Sequence, residues 1–364
     1  MSPLSLRRQI GQLLIAGFKG TSTPPELRSI ANEFGLGGTI LFARNIEEPA
    51  QVAELAFELA QLTPEMPAWV SVDQEGGRVA RLKAPFTEWP PMATLGRSGD
   101  TKLAEQFAKA LAAELRAVGI TLDYAPVLDI HTNPKNPVIG DRALSDAART
   151  AAELGAVIVR TLQAAGVAAC GKHFPGHGDT SVDSHHDLPL VEHPIELLRE
   201  REFLPFKAAI EAGVATMMTA HVFLPALDEE RPATLSRTIV TGILRESLGF
   251  EGLIISDDLE MKALAKERSV EDSAVLAIEA GCDALLICAG DYDVQAAALE
   301  AIVKLAEQNR AFERRVEDAV LRNTRTKERF LMAPVSSPMN AKALGRVLGH
   351  DEHKRAADAM ARFA

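Results

Sequence analysis

The sequence predicts a closed (β/α)8 barrel, and three observations lead to that fold class. Eight short apolar runs alternate with helix-like segments. The runs are continuous in apolar residues, as in parallel strands that are covered on both faces. Ionisable residues follow five successive runs, where barrel enzymes carry their functional groups. The rival fold, an open doubly wound sheet, is disfavoured because no glycine-rich phosphate fingerprint follows the first run.

The predicted strands and helices follow one another regularly along the chain. The strands are predicted at 13–18, 39–43, 69–73, 124–129, 167–173, 216–221, 253–257 and 285–289. Between them, apolar residues spaced three and four apart predict helices most clearly at 103–118, 147–165, 195–211 and 270–280. Ser269 with Asp272 three positions later, and Pro194 before residue 195, are helix start signals.

Beyond the eighth strand the pattern is purely helical. Helices are predicted at 294–308 and 312–331, and a terminal helical segment at 341–363 follows a proline-containing break. These segments show no second core. We therefore expect residues 1–364 to form a single barrel domain, with the helices from about residue 310 packing on the barrel.

Composition excludes several classes of function. The net charge of -11, without any run of Lys or Arg, argues against a nucleic-acid partner. The apolar run at 9–18 is too short to cross a membrane, and no signal-peptide cleavage site follows it. Three cysteines, each in an apolar stretch, suggest buried thiols in a reducing compartment. We expect a cytoplasmic monomer with no membrane partner.

Polar residues at the predicted strand ends indicate a catalytic pocket. They are Asp73 to Arg78 after strand three, Asp129 with Asp141 and Arg142 after strand four, Lys172 and His173 after strand five, His221 after strand six, and Asp257 and Asp258 after strand seven. One such residue would be a common structural partner, but a series converging on one rim favours an active site. The segment at 172–187 adds Asp183, His185 and His186.

The chemistry of these side chains suits a polyhydroxylated substrate, whose hydroxyls pair with carboxylates and cations. In glycoside hydrolysis with retention, a carboxylate attacks the sugar while an acid protonates the leaving oxygen. Asp257 is the natural nucleophile. A histidine titrates near neutral pH and suits the acid/base, with a carboxylate such as Asp183 to orient it.

Metal-assisted hydrolysis remains open on side-chain chemistry alone. His173, His177, His185 and His221, with the aspartates, are all possible zinc ligands. No HxH or HExxH spacing occurs, however, and Lys172 beside His173 would repel a cation. These features favour a glycosidase over a metallohydrolase without excluding the latter.

Three long motifs carry a resemblance to a known family. They are KHFPGHG at 172–178 followed by DSH at 183–185, DQEGGRV at 73–79, and ISDDLEM at 255–261. In this order they resemble family 3 glycoside hydrolases of the bacterial β-N-acetylglucosaminidase (NagZ) type. The less specific GDR at 140–142 and MTAH at 218–221 agree. The resemblance runs from about the first strand to the eighth and implies a TIM barrel, a retaining mechanism, and neither a metal nor an organic cofactor.

The resemblance also implies a role for each matching residue. Asp257 would be the nucleophile, and His185 the acid/base paired with Asp183. The sugar hydroxyls and N-acetyl group would be held by Asp73, Arg81, Arg142, Lys172 and His173. Because adjacent strand residues point to opposite faces, Asp258 should make a structural hydrogen bond instead. His177, His186 and His221 are equally compatible with structural roles.

The function implied is removal of terminal β-linked N-acetylglucosamine from muropeptide fragments of peptidoglycan, in cell-wall recycling. A covalent glycosyl-enzyme intermediate would form. A β-glucosidase or an N-acetylglucosaminide phosphorylase of the same family remains an alternative, as does a metal-dependent hydrolase.

Overall fold

The computed structural model describes residues 5–64, 66–184, 187–332 and 337–364. Its strands are β1 (Leu14–Ala16), β2 (Gly38–Leu41), β3 (Trp69–Val72), β4 (Gln74–Gly76), β5 (Val79–Ala80), β6 (Leu122–Asp123), β7 (Ala168–Phe174), β8 (Thr216–Thr219), β9 (Leu253–Asp258) and β10 (Ala284–Ile287). Within these described residues, eight strands close a parallel barrel in the order β1-β10-β9-β8-β7-β6-β3-β2. The predicted (β/α)8 barrel is confirmed. The hairpin formed by β4 and β5 is a separate antiparallel pair that the sequence pattern did not reveal.

Helices surround the barrel and continue past its last strand. They are α1 (Leu6–Gly11), α2 (Pro25–Phe34), α3 (Pro49–Ala60), α4 (Met92–Ser98), α5 (Thr101–Ala117), α6 (Ala148–Ala164), α7 (Ile195–Glu200), α8 (Phe203–Glu211), α9 (Lys262–Ala265), α10 (Val270–Ala280), α11 (Tyr292–Gln308), α12 (Arg310–Leu331), α13 (Ala341–Leu344) and α14 (Asp351–Ala361). Short 3₁₀ turns lie at Ala43–Asn45, Gly140–Arg142 and Ala233–Leu235, and a π-helix at Thr238–Ser247. None of the described helices combines the length and apolar character that a membrane crossing requires.

Helix starts agree with the sequence signals where a side chain caps the first turn. The Ser269 hydroxyl accepts a hydrogen bond from the Asp272 backbone N–H at 3.1 Å and begins α10, as predicted. Asp100 caps α5 in the same way, accepting from the backbone N–H groups of Lys102 and Leu103. Each cap satisfies backbone donors that would otherwise lack a partner at the helix end.

The fourth barrel strand lies just before its predicted range and is shorter than predicted. Regular pairing covers only Leu122–Asp123, whereas the prediction ran from 124 to 129. The chain beyond it still lies along β7, because the backbone N–H of Cys170 donates to the Ala125 carbonyl and that of Leu128 to the Lys172 carbonyl. Pro126 has no N–H to donate, so the ladder is interrupted where the sequence reads as a continuous apolar run.

Two predicted helices are each divided in the structure. The segment predicted at 195–211 forms α7 and α8, which separate at residues 201–202. A continuous helix would place Pro205 in its interior, where the proline ring clashes with the carbonyl four residues earlier. The segment predicted at 341–363 forms α13 and α14, separated by a turn that includes Gly349 at φ +58°, a left-handed conformation that favours glycine.

Helix α12 covers the amino-terminal end of the barrel. Its Asn323 accepts a hydrogen bond from the Trp69 indole N–H at 3.0 Å and donates to the Gln12 carbonyl at 2.6 Å. Trp69 begins β3 and Gln12 precedes β1, so these contacts lie where the strands start. The predicted rim residues lie at the opposite, carboxyl-terminal end of the barrel strands.

Candidate active site

A cavity of about 230 Å³ opens at the carboxyl ends of the barrel strands. Seven of the eight predicted site residues line it, and they come from distant parts of the chain: Asp73, Arg81, Arg142, Lys172, His173, Asp183 and Asp257. The eighth, His185, lies outside the described residues. A larger groove of about 580 Å³ between α5 and α6 is exposed helix surface without a histidine or aspartate in its lining. The rim cavity is therefore the candidate active site.

One side of the cavity is a cluster of paired charges, the binding cluster: Asp73, Glu75, Arg142 and Lys172. The Lys172 ammonium lies 2.8 Å from Asp73 Oδ1 and 2.6 Å from Glu75 Oε1. The Arg142 guanidinium donates to both oxygens of Glu75, from Nε at 2.8 Å and from Nη2 at 2.7 Å. Two carboxylates and two cations are thereby joined in one continuous network.

Electrostatics keep all four groups of the binding cluster charged. Burial alone would raise the pKa of Glu75, but Arg142 and Lys172 outweigh it and lower that pKa well below its ordinary value. The pKa of Asp73 is also lowered, because Lys172 and Arg81 overcome the effect of burial. Burial would lower the pKa of Lys172, yet its two carboxylate partners raise it. None of these groups can exchange a proton near neutral pH, so the cluster suits binding rather than acid–base work.

Glu75 is the member of this cluster that the sequence analysis did not single out. It stands inside the DQEGGRV motif, two residues after Asp73, and the β4–β5 hairpin turns it inward. Gly76 and Gly77 make that turn with φ values of +114° and +54°, in the range that favours glycine. An acidic residue beside two turn glycines was the available signal, but the sequence did not show which cations it would meet.

The other side of the cavity carries histidines. The His173 ring donates from Nδ1 to Asp129 Oδ2 at 2.6 Å, because that carboxylate is ionised and can only accept. Burial would raise the pKa of Asp129, but the His173 interaction outweighs it and lowers the pKa. His173 therefore has its Nε2 available for the cavity, as a substrate-binding role requires.

His177 links the start of the following loop to Ser184. Its Nδ1 lies 2.7 Å from the Thr180 hydroxyl and its Nε2 lies 3.0 Å from the Ser184 hydroxyl. Its backbone N–H donates to Asp129 at 2.7 Å. Burial lowers the pKa of His177 to about 4, so the ring is neutral and joins its two partners by hydrogen bonds. This geometry suits a structural role for His177.

The loop before Ser184 is held by further contacts. Asp179 accepts a hydrogen bond from the Thr132 hydroxyl at 2.9 Å and pairs with His193. The side chain of Asp179 is 24 % exposed, so it is a half-buried anchor of the loop. Asp183 follows on the same loop, is half-buried and faces the cavity.

Asp257 and Asp258 end β9 with different surroundings. Asp257 is half-buried in the cavity wall, and its Oδ1 accepts the Asp258 backbone N–H at 2.8 Å. Asp258 also lines the cavity, but its Oδ1 accepts backbone N–H groups from Glu260 and Cys288, each at 3.2 Å. Burial raises the pKa of Asp258 to about 7. Asp258 thus makes the expected structural hydrogen bonds, but the expected separation of the two carboxyls onto opposite faces is wrong, because both line the cavity.

His221 lies behind this strand end. Its Nε2 donates to the Asp258 carbonyl oxygen at 2.9 Å, and its Nδ1 lies 2.8 Å from the Thr234 hydroxyl. Within the described part of the chain, no three His, Cys, Asp or Glu side chains are grouped to hold a metal ion. Asp257 shares the cavity with the hydrogen-bond donors Lys172, Arg142 and His173.

Comparison with known proteins identifies the family of the chain. Residues 5–326 match the glycosyl hydrolase family 3 N-terminal domain. A β-hexosaminidase of Thiobacillus denitrificans is 41% identical over 259 residues, which cover 70% of this chain and 71% of that protein. β-Hexosaminidase A of Pseudoalteromonas piscicida is 36% identical over 322 residues, 78% of this chain. The match spans 54% of that relative, so the chain corresponds to about half of its length.

Solved structures agree with the sequence relatives. A family 3 β-N-acetylglucosaminidase from Paenibacillus superposes with a TM-score of 0.95 at 43% identity, covering 99% of this chain and 69% of the other. NagZ from Neisseria gonorrhoeae, in complex with N-trifluoroacetyl-D-glucosamine, superposes with a TM-score of 0.77 at 30% identity, covering 97% of each chain. The resemblance stated from the three motifs is confirmed: the chain is a glycoside hydrolase that belongs to family 3, with the bacterial β-hexosaminidases as its relatives.

Proposed function

We propose that this protein is a retaining exo-β-N-acetylglucosaminidase with Asp257 as its nucleophile. The observation that carries the proposal is the position of Asp257, a half-buried carboxylate at the end of β9 that faces the same cavity as the binding cluster. A sugar held by that cluster would present its anomeric carbon to Asp257. The relatives named above are β-hexosaminidases, which supports the N-acetyl sugar as the substrate.

The reaction proceeds in two displacements. In the first, an Asp257 oxygen forms a bond to the anomeric carbon as the glycosidic C–O bond breaks, and the leaving oxygen takes a proton from the acid. We assign the acid to His185, paired with Asp183, because Asp183 faces the cavity two residues before it. In the second, water attacks the same carbon, gives its proton to the base and releases Asp257. Both steps invert the carbon, so configuration is retained.

The binding cluster supports recognition of a single terminal sugar. Lys172 has three N–H groups, of which two reach Asp73 and Glu75, so one is left for a substrate hydroxyl. The oxygens of Asp73 also accept from Lys172 and Arg81 and keep lone pairs for further donors. The cavity volume of about 230 Å³ suits one pyranose ring rather than a chain of them, which favours exo-action.

The physiological setting belongs to the same proposal. The substrate would be a β-linked N-acetylglucosaminyl muropeptide released during peptidoglycan turnover and recycled in the cytoplasm. Residues 1–364 would act as one monomeric catalytic unit. Gly349, just before α14, and His353 within it donate hydrogen bonds to the buried Glu114 of α5, which supports a single domain. No nucleic acid or membrane takes part.

Hydrolysis of p-nitrophenyl β-N-acetylglucosaminide tests the proposal. We expect turnover that chelator does not affect, loss of turnover in Asp257→Ala, and a slower reaction in His185→Ala that a good leaving group partly restores. NMR of the first-formed anomer checks retention. Turnover of the plain glucoside alone would identify a β-glucosidase, acceleration by phosphate a phosphorylase, and loss with chelator a metal-dependent hydrolase; each would overturn the proposal.

A further inference from the structure

Glu75 is the buried member of the binding cluster and does not itself line the cavity. Its exposed fraction is 2 %. Its two oxygens contact Lys172 and Arg142, both of which do line the cavity. Glu75 can therefore influence a bound sugar only through these two cations.

The count of hydrogen-bond donors shows what Glu75 leaves available. Arg142 has five N–H groups. Two of them go to Glu75, and a third, on Nη1, goes to the Val138 carbonyl at 3.2 Å. Two N–H groups on Arg142 and one on Lys172 remain for the cavity. Glu75 accepts two hydrogen bonds from Arg142 and contacts the Lys172 ammonium. These contacts orient both cations and so fix the directions of the three N–H groups that remain.

The charge balance of the cluster depends on Glu75. Without its negative charge, Lys172 and Arg81 would be left with Asp73, which already accepts from both, and Arg142 with the more distant charges of Asp129 and Asp73. Asp123 also acts on Lys172, but burial raises the pKa of Asp123 well above its ordinary value, so it compensates the cations less well than Glu75 does. Loss of the negative charge at Glu75 would therefore leave the cations to attract Asp73, and this carboxylate would move away from a substrate hydroxyl.

We propose that Glu75 is a positioning residue for substrate recognition, which aims the remaining N–H groups of Lys172 and Arg142 at hydroxyls of the terminal sugar. The inference rests on the proposed function, because it takes that sugar as the ligand. In this role Glu75 acts on substrate recognition and not only on the stability of the fold.

The test compares Glu75→Gln with Glu114→Gln. Glu114 is a matched control because it is equally buried and its oxygens accept from Thr87, Gly349 and His353, none of which lines the cavity. With p-nitrophenyl β-N-acetylglucosaminide we expect kcat/KM to fall on the order of 100-fold in Glu75→Gln, mainly through KM. In Glu114→Gln it should stay within about threefold of wild type.

Deoxy substrates separate positioning from a general defect. Wild type and Glu75→Gln are both assayed with the 3-deoxy, 4-deoxy and 6-deoxy forms of the same glycoside. For a hydroxyl that Lys172 or Arg142 contacts, its removal should erase most of the Glu75→Gln penalty, because both changes remove one interaction. An equal penalty on all four sugars, or a wild-type kcat/KM in Glu75→Gln, would overturn the proposal.

A second variant and a binding measurement keep the result interpretable. If Glu75→Gln does not fold, Glu75→Asp retains the charge but is one methylene shorter; it should bind the sugar more weakly and show the same pattern across the deoxy series. Calorimetric binding of the intact glycosides, measured with Asp257→Ala added to each protein, gives the comparison without turnover. A wild type that binds them without cleaving them would sink the proposed function alone, whereas one that binds none would overturn both proposals.

Discussion

Lys172 and Lys327 are equally buried, at opposite ends of the barrel, and their pKa values move in opposite directions. Each is 1 % exposed. At the carboxyl end, Asp73 and Glu75 lie within 2.8 Å of Lys172 and raise its pKa despite burial. At the amino-terminal end, the Lys327 ammonium donates to the Gln12 amide oxygen at 2.9 Å, and burial lowers its pKa to about 7.

The difference shows how this barrel treats buried charge. No described carboxylate forms an ion pair with Lys327, so folding removes its charge from water with only the Gln12 hydrogen bond as compensation. Lys172 has two carboxylates in contact, and its charge is preserved where a ligand can use it. Lys327 lowers stability at neutral pH, and Lys172 supports recognition. Four measurements would sharpen or break this contrast.

The largest effect is expected from Lys172→Met. The change removes a donor from the cavity and leaves Asp73 and Glu75 with excess negative charge. We expect kcat/KM to fall by about 10²–10³-fold and the free energy of unfolding to drop by about 3 kcal/mol. Steady-state kinetics and urea unfolding measure the two. Wild-type kinetics in this variant would remove Lys172 from the binding cluster.

The opposite sign is expected from Lys327→Met. An apolar side chain of similar length avoids burying a charge, so the free energy of unfolding at pH 7 should rise by about 2 kcal/mol. Because Lys327 lies at the amino-terminal end, kcat/KM should stay within about twofold of wild type. Urea denaturation and the nitrophenyl assay check both statements. A destabilised variant would show that the Lys327–Gln12 contact outweighs the cost of burial.

The pH dependence of stability follows from Lys327 in a defined direction. The unfolded lysine keeps its proton up to its ordinary pKa of 10.5, whereas the folded one loses it near 7. Between these values the unfolded chain binds more protons, so this residue makes the free energy of unfolding rise with pH, by about 1 kcal/mol per unit. The difference between wild type and Lys327→Met, measured at pH 7, 8.5 and 10, isolates that contribution. The gap of about 2 kcal/mol should close near pH 9 and reverse sign by pH 10, and a constant gap would contradict the lowered pKa.

The smallest effect is expected from Gln12→Leu. The change removes the acceptor of the Lys327 ammonium and should lower the free energy of unfolding by about 1 kcal/mol. In the Lys327→Met background the penalty should shrink to what the other Gln12 bond, from its amide to the Leu36 carbonyl, contributes. A double-mutant cycle measures this coupling. Strict additivity would mean that the Gln12–Lys327 bond contributes nothing.

The sequence predicted the parts of this structure that depend on local pattern. Apolar runs and helical spacing were sufficient for the barrel, and Ser269 correctly marked the start of α10. The position of Asp73 and Lys172 at strand ends was sufficient to bring them to one rim, because parallel strands all finish on the same face. The role of each site residue remains a prediction, and His185 lies outside the described residues.

A helix break and two long-range side-chain pairs were not predicted from the sequence, each for a physical reason. The helix predicted at 195–211 is broken because Pro205 excludes a continuous turn, a signal that was visible but outweighed by the apolar spacing. The pairing of Glu75 with Arg142 joins residues 67 positions apart, and no local spacing encodes such a contact. The same holds for Lys327 and Gln12, which are 315 positions apart.

The sequence by itself determined the alternation of strands and helices, the identity of the rim residues and, through three motifs, the family. These follow from side-chain periodicity and from residue types at strand ends, which are properties of short segments. Only the tertiary structure decided which buried charges are paired. Whether a lysine stays charged depends on the groups that surround it from distant parts of the chain, as the opposite pKa directions of Lys172 and Lys327 show.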